Sequence, residues 1–307
     1  MTPPTPLALE YYEQLDAFVR RAEALGLGPV RDFYWYHTID LGDGLVTPGA
    51  HDYRATLPEF RFPETMRGMR VLDVGSATGF FAFEFERRGA RVVSVELPSL
   101  DALDRFPGQT TEQAVAKIGR MLASARPEGA PPPPASAAGM YRALLEGPFE
   151  FCRRRLNSRV ERCYSTVYDL TPGQLGGAPR EANAAPREAN SAPREANSAP
   201  FDLVFVGDVL VHTLYPLRAL AALAPLCKST LVLSQNIPDH PSEPAMLYVG
   251  GEQPGEDDIS WWLPNRACLD QMLLKLGFRS VAEVGRNTGV LRPDGHPVDR
   301  PILHASK

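Results

Sequence analysis

Short apolar runs alternate with segments of helical periodicity along most of the chain. Seven runs are predicted as buried strands: 70–74, 91–95, 162–167, 201–206, 230–234, 280–284 and 301–305. Five segments are predicted as helices: 10–25, 79–88, 149–159, 217–226 and 265–276. Because strands and helices follow one another in turn, the pattern predicts an α/β fold of mostly parallel strands, with helices on both faces.

The strand pattern begins only at Arg70, which suggests that the chain consists of an N-terminal segment and a separate sheet domain. We expect residues 1–69 to form an N-terminal helical and aromatic cap segment. Residues 70–307 are then expected to form one Rossmann-like, seven-stranded domain. The last two strands follow the last helix directly, so we expect an antiparallel end to the sheet.

Two segments are predicted to be flexible insertions, at about 125–139 and 178–200. The first contains four consecutive prolines, Pro131 to Pro134, which favour an extended and solvated chain. The second repeats a seven-residue unit, Pro-Arg-Glu-Ala-Asn-Ser-Ala with one variation, from Pro179 to Pro200. Each unit carries a proline and no apolar pair, so a coiled coil is excluded and a surface loop is expected.

The composition of the chain limits the classes of binding partner that are expected. The formal net charge is −5, so nucleic acid would need a local basic patch. Five arginines between 153 and 162 are a candidate, although a solvated helix face is the more ordinary interpretation. The four cysteines lack CxxC spacing, and no secretory leader or membrane span is recognisable. A cytoplasmic protein with no metal site and no membrane partner is therefore expected, its oligomeric state left open.

The most informative stretch runs from a strand through a glycine turn into a helix, Val71-Leu72-Asp73-Val74-Gly75-Ser76-Ala77-Thr78-Gly79-Phe80. The dinucleotide fingerprint would need G-x-G-x-x-G, whereas this turn has G-x-x-x-G. It is similar to the turn of S-adenosylmethionine (SAM) dependent methyltransferases, which wraps the methionine part of the cofactor. Sixteen residues after Gly79, the second strand ends near Glu96, an acid that can accept hydrogen bonds from ribose hydroxyls.

This resemblance implies SAM as the cofactor and a set of cofactor-binding residues. Tyr168 and Asp169 follow the third strand, where such enzymes contact adenine, although an ordinary turn is equally compatible. Gly207 ends the fourth strand, at the edge where α/β sheets bind ligands. The predicted cofactor-binding residues are Asp73, Gly75, Ser76, Ala77, Gly79, Phe80, Glu96, Leu97, Tyr168, Asp169 and Gly207.

Methyl transfer needs alignment of the reacting groups, and it needs a base only when the acceptor starts protonated. His212, His37 and Asp208 are the candidate catalytic residues, because histidine titrates near neutrality and Asp208 follows the fourth strand. Each of the two histidines could instead be a packing residue. The candidates for substrate binding are Trp35, Trp261, Trp262, Asn236 and Arg300.

Several stretches resemble relatives of the bacterial tRNA wobble-uridine carboxymethyltransferases, over roughly residues 30–100 and 150–307. They are Trp35 to Ile39, the helix from Gly79, Phe201 to His212 with Pro216-Leu217, Trp261 to Asn265, and Arg300 to Leu303. That family binds carboxy-SAM through a Lys, a Tyr and an Arg. Here Arg300 matches the Arg, but Val211 stands at the Tyr position and no Lys lies between 35 and 47.

The sequence therefore predicts a class I SAM-dependent methyltransferase that acts on an oxygen or nitrogen of a small-molecule acceptor. A tRNA wobble-uridine (carboxy)methyltransferase is the first alternative. A non-catalytic SAM-binding module is the second.

Overall fold

One sheet of seven strands organises the chain, whose computed structural model describes residues 4–127, 129–175, 201–253 and 259–307. Its strands are β1 Arg70–Val74, β2 Arg91–Glu96, β3 Glu161–Tyr164, β4 Phe201–Gly207, β5 Cys227–Ser234, β8 Ser280–Leu291 and β9 His296–Ser306. Their order is β3-β2-β1-β4-β5-β9-β8. Neighbours from β3 to β5 are parallel, whereas β9 runs antiparallel to both β5 and β8. The predicted Rossmann-like, mostly parallel sheet with an antiparallel end is confirmed.

Successive side chains along each strand point to opposite faces of the sheet, and both faces are apolar. The described helices are α1 Pro6–Ala24, α2 Phe80–Arg87, α3 Thr111–Ser124, α4 Ala137–Tyr141, α5 Gly147–Arg155, α6 Pro172–Leu175, α7 Pro216–Leu223 and α8 Arg266–Lys275. Side chains from α1, α2 and α5 join one buried cluster with Val71 and Phe205. Those from α7 and α8 join a second cluster with Leu72 and Val204. Helices therefore cover both faces, as the pattern predicted.

The N-terminal segment packs into the first of these clusters. Phe18 and Trp35 are buried there with Phe151 of α5, and their rings meet edge to face. Thr5 caps α1 by accepting a hydrogen bond from the backbone N–H of Ala8, so the helix starts before the expected position 10. The segment before β1 thus shares its core with the sheet domain.

Some elements are longer than expected, and several helices and a small pair of strands were not predicted. β8 and β9 extend as an antiparallel pair from Ser280 to Ser306, well beyond the two short runs predicted. α3 was not predicted, although Thr110 and Gln113 form a capping box ahead of its apolar face. β3 ends at Tyr164, three residues before the predicted end.

The predicted insertions lie on either side of β3. In the first, residues 125–127 and 129–136 form an irregular connection, and Arg126 donates hydrogen bonds to the carbonyls of Pro131 and Asp32. α4 starts at Ala137, inside the range expected to be unfolded, which corrects that boundary. The second insertion, 178–200, lies outside the described residues. A small pair of strands, β6 Met246–Tyr248 and β7 Trp262–Pro264, stands apart from the main sheet.

Candidate cofactor and acceptor site

A cavity of about 670 Å³ lies at the carboxyl ends of β1, β2 and β4. This is the edge at which open α/β sheets bind ligands. The N-terminal segment, α3 and the β8–β9 pair supply the remaining walls. Twelve of the predicted residues line it: His37, Asp73, Gly75, Ser76, Ala77, Glu96, Leu97, Tyr168, Gly207, Asp208, His212 and Arg300.

The turn between β1 and α2 requires glycine at two positions. Gly75 has a φ of 69°, and a Cβ there would lie 2.5 Å from Cγ2 of Val209. Gly79 has a φ of 93° and caps α2, and a Cβ there would lie 2.5 Å from the ring of Phe83. Both positions favour glycine by conformation and by space. Gly75 lines the cavity; Gly79 and Phe80 do not, so they shape the turn from behind.

Glu96 joins the second strand to this turn. One carboxylate oxygen accepts a hydrogen bond from the backbone N–H of Ala77 at 3.0 Å, and the other accepts from that of Leu97 at 3.0 Å. The side chain is only 8% exposed and faces the cavity. Glu96 therefore fixes the turn and also presents acceptor oxygens to a ligand.

Arg162 lies beneath this carboxylate, on β3. Its side chain is 5% exposed, and one terminal nitrogen donates to the hydroxyls of Ser76 at 2.6 Å and Ser94 at 2.9 Å. The other terminal nitrogen lies 3.8 Å from Glu96, and the guanidinium stacks over the ring of Phe149. A solvated face was expected for this arginine; the structure instead buries it as the counter-charge of the site.

Asp73 is buried at the end of β1. It accepts a hydrogen bond from the backbone N–H of Ala82 in α2, while its Oδ2 has no hydrogen-bond partner among the described residues. Burial raises the pKa of Asp73 to about 7, with Arg162 opposing the shift and Glu96 adding to it. A carboxyl group with a free oxygen thus lines the cavity and titrates near neutrality.

The N-terminal segment contacts the glycine turn through His37. The backbone N–H of His37 donates to the hydroxyl of Thr78 at 3.1 Å, and its Nδ1 accepts from the backbone N–H of Phe80 at 3.4 Å. Burial lowers the pKa of His37 well below its usual value, so the ring is neutral. These contacts give His37 a packing role beside the cavity.

Elsewhere in the cavity lining, Asp208 and Arg300 form an ion pair with a shortest distance of 2.6 Å. Arg300 also donates to the hydroxyl of Tyr53 at 3.2 Å, and Asp208 holds a φ of 55° just after β4. Arg300 was expected to face a substrate; it lines the cavity, but its charge is already balanced by Asp208.

His212 lies at the mouth of the cavity, on a turn of 3₁₀ helix after β4. Its Nδ1 is 2.6 Å from the carbonyl oxygen of Ile259. A carbonyl can only accept, so Nδ1 carries the hydrogen of this bond, and in the neutral tautomer Nε2 then carries the lone pair. The ring is therefore oriented with a free proton acceptor.

Tyr168 lines the cavity and donates a hydrogen bond to Asp104. Asp169, the next residue, lies outside the cavity and accepts from the hydroxyl of Thr166. Asp169, which was expected to contact adenine, therefore does not line the cavity, whereas Ser165 to Tyr168 do.

Four expected substrate residues lie away from the cavity. Trp35 is enclosed in the aromatic core with Phe18 and Phe151. Trp261 is buried against Phe106, and its backbone N–H donates to Val211. The structure corrects these assignments, since none of the four side chains lines the cavity. They are Trp35, Trp261, Trp262 of β7 and the exposed Asn236.

Several cavity residues were not predicted from the sequence. Tyr36, His51 and Tyr53 line it from the N-terminal segment, as Arg292 does from the β8–β9 pair. The aromatic richness of residues 33–36 was a signal for Tyr36. Nothing in the local pattern marks His51 or Tyr53. Among the described residues, no cluster of His, Cys, Asp or Glu could hold a metal ion. The described helices include none long and apolar enough to cross a membrane.

No protein-family model and no curated protein sequence matches this chain. Among solved structures, it is similar to magnesium protoporphyrin IX methyltransferase from Synechocystis PCC 6803 with bound SAM. The identity is 14%, covering 82% of this chain and 76% of that one, with a TM-score of 0.38. The N-terminal domain of EvdMO1 with S-adenosylhomocysteine (SAH) bound is 15% identical over 95% of this chain and 96% of that domain, at a TM-score of 0.47.

A SAM-dependent methyltransferase from Mesorhizobium loti is 14% identical over 82% of this chain and 98% of that one, with a TM-score of 0.40. These likenesses are distant. The fold is assigned from the strand order of this chain, and the candidate site is assigned from the side chains that line its cavity.

Proposed function

We propose that this protein is a SAM-dependent methyltransferase. The observation that carries the proposal is the arrangement of Asp73, Gly75 and Glu96 around one cavity, at the carboxyl ends of adjacent parallel strands. The strand order and the spacing of the three residues agree with the resemblance found in the sequence.

The residues of this side fit the chemical groups of SAM. Glu96 offers carboxylate oxygens suited to ribose hydroxyls, and the free Oδ2 of Asp73 suits a positively charged amine or sulfonium. The glycine at 75 keeps the turn open where a Cβ would clash. The proposed cofactor residues are Asp73, Gly75, Ser76, Ala77, Glu96, Leu97, Tyr168 and Gly207, with Gly79 and Phe80 shaping the turn.

When bound, SAM supplies a methyl group that is already activated by its sulfonium. The chain then has to align an acceptor and, where the acceptor is a hydroxyl or a protonated amine, to accept a proton. His212 is the best candidate because its Nε2 is a free acceptor at the cavity mouth. Asp208 is engaged by Arg300 and His37 by the backbone of Phe80, so both are better suited to positioning.

Ordinary SAM and a small-molecule acceptor are favoured over carboxy-SAM and tRNA. The carboxylate of carboxy-SAM would need an unpaired cation, whereas Asp208 already balances Arg300. The basic run near residue 155 also offers little to nucleic acid. Arg153 pairs with Glu150, Arg155 pairs with Asp43, and Arg162 is buried.

Calorimetric titration of the full chain with SAM, carboxy-SAM and NAD tests the proposal. We expect binding of SAM, weaker binding of carboxy-SAM and none of NAD. Binding of NAD without SAM would contradict the proposal, and a preference for carboxy-SAM would move the tRNA alternative to first place. The variant His212→Gln should keep the affinity for SAM, because its role is assigned to the acceptor.

A further inference from the structure

The part of the cavity lining around the ion pair of Asp208 and Arg300 differs in its chemistry from the part around Glu96. We call it the acceptor wall and define it as Tyr36, His51, Tyr53, Asp208 and Arg300. The rings of His51 and Tyr53 stack at an interplanar angle of 16°, and the ring of Tyr36 packs against His51. The wall therefore combines flat ring faces with hydrogen-bonding groups.

The charges of the acceptor wall balance one another. Asp208 and Arg300 pair at 2.6 Å, with side chains that are 18% and 15% exposed. Coulombic attraction to Asp208 and the neighbouring tyrosine hydroxyls outweighs burial and raises the pKa of Arg300, so the guanidinium keeps its charge. One negative and one positive group thus face the same space, with no net charge.

The other ionisable groups nearby do not disturb this balance. Burial lowers the pKa of His51 to about 3 and that of His37 well below its usual value, so both rings are neutral. Arg292 is engaged by Gln14, Thr38 and the carbonyl of Gly49. Asp294 and His296 line the mouth from an exposed turn, where solvent screens their charge.

We propose that the acceptor wall binds a neutral ring compound bearing several hydroxyl groups, of the polyol or sugar class. This inference rests on the proposed methyltransferase function and deepens it. A hydroxyl both donates and accepts, so it can bond to the Asp208 carboxylate, the Arg300 guanidinium and a tyrosine hydroxyl at once. An anionic or cationic acceptor would meet one matching and one repelling charge after losing its hydration.

A matched charge series tests the inference on full-length protein saturated with SAH. The probes are methyl glycosides of glucose, galactose and mannose. Each is compared with its uronic acid and its 6-amino-6-deoxy form, which differ from it only at C6. Calorimetry should show the neutral member of at least one series binding about tenfold tighter than both charged forms.

Two reciprocal variants sharpen the test. Asp208→Asn leaves Arg300 without its counter-charge, so the preference should shift by about tenfold toward the uronic acid. Arg300→Gln leaves Asp208 unbalanced, so the preference should shift toward the amino sugar. Asp299→Asn is the matched control, since it removes an exposed aspartate beside Arg300 that lies outside the cavity.

The outcomes separate this inference from the proposed function. Failure of SAH itself to bind would contradict the proposed methyltransferase function. With SAH bound, equal or tighter binding of a charged form to the unaltered protein would overturn the inference alone. Absence of binding by every neutral glycoside, or unchanged charge preference in both variants, would overturn it as well.

Discussion

The two sides of the cavity are built in different ways. The cofactor side is formed by residues that are close in sequence. Asp73, Gly75 and Glu96 lie within 24 residues of one another, on or directly after two adjacent strands. The acceptor wall joins residues from the N-terminal segment, the end of β4 and β9, so that Tyr53 and Arg300 meet across 247 positions.

This difference explains why substitutions can alter one side of the cavity and leave the other unchanged. The glycine turn and its acid are fixed by backbone conformation and by hydrogen bonds to backbone groups. The acceptor wall depends on side chains carried by separate elements around a rigid sheet. A fold of this kind can therefore keep its cofactor while its acceptor changes.

The largest expected effect comes from removing the buried cation of the cofactor side. Arg162→Met leaves Glu96 and Asp73 without their counter-charge, so we expect a loss of about 3–5 kcal/mol of stability. SAM affinity should fall as well, because Ser76 loses its donor. Urea unfolding and calorimetry measure the two effects, with the exposed Arg159→Met as control. Equal stability of the two variants would show that Arg162 is dispensable.

A smaller effect is expected from the turn itself. Gly75→Ala forces an L-residue to a φ of 69° and brings its Cβ to Cγ2 of Val209. The strain should cost about 1–3 kcal/mol and weaken SAM binding, as measured by thermal unfolding and titration. Gly173→Ala is the control because its Cβ would meet nothing within 4 Å. Identical SAM affinity in both variants would contradict the assigned role of the turn.

The smallest expected effect on ligand binding is a dependence on pH through Asp73, whose pKa is raised to about 7 by burial. Between about pH 4 and 7 the folded chain holds a proton that the unfolded chain has released, so this contribution to stability falls as pH rises. A cationic ligand favours the ionised form, so SAM affinity should rise by about tenfold from pH 6 to pH 8. Binding should also release protons.

Calorimetry in two buffers of different ionisation enthalpy measures that proton release. Asp73→Asn should abolish both the release and the pH dependence, because an amide does not titrate in this range. Persistence of either effect in the variant would assign the proton to another group.

The sequence was sufficient to predict the sheet and to bring the turn at Gly75 and Glu96 to one edge of it. Apolar runs located the strands, and the turn at Gly75 with Glu96 lies where it was expected. Arg162 was misassigned because an arginine run is ordinarily solvated, whereas the alternation of β3 directs this one inward. Its ion pair with Glu96 depends on strand pairing, which local spacing does not reveal.

The acceptor side was harder to predict for the same reason. Trp35, Trp261 and Trp262 suggested a substrate pocket by residue type. Instead Trp35 lies in the aromatic core, Trp261 packs against Phe106 and Trp262 belongs to β7. Tyr53 and His51 carry no motif, and they reach the cavity only because the N-terminal segment packs against α2. Long-range packing, rather than local propensity, decides which side chains meet there.

The most direct test of the two-sided cavity is a titration of SAH into a pair of variants, Glu96→Gln and Asp208→Asn. Both replace a carboxylate by an amide of nearly the same shape, one after β2 and one after β4, and both residues line the cavity. We predict that Glu96→Gln weakens SAH binding by about tenfold or more, whereas Asp208→Asn leaves it within about twofold. Equal weakening in both variants, or weakening in Asp208→Asn alone, would contradict the assignment of the cofactor to the side of the glycine turn.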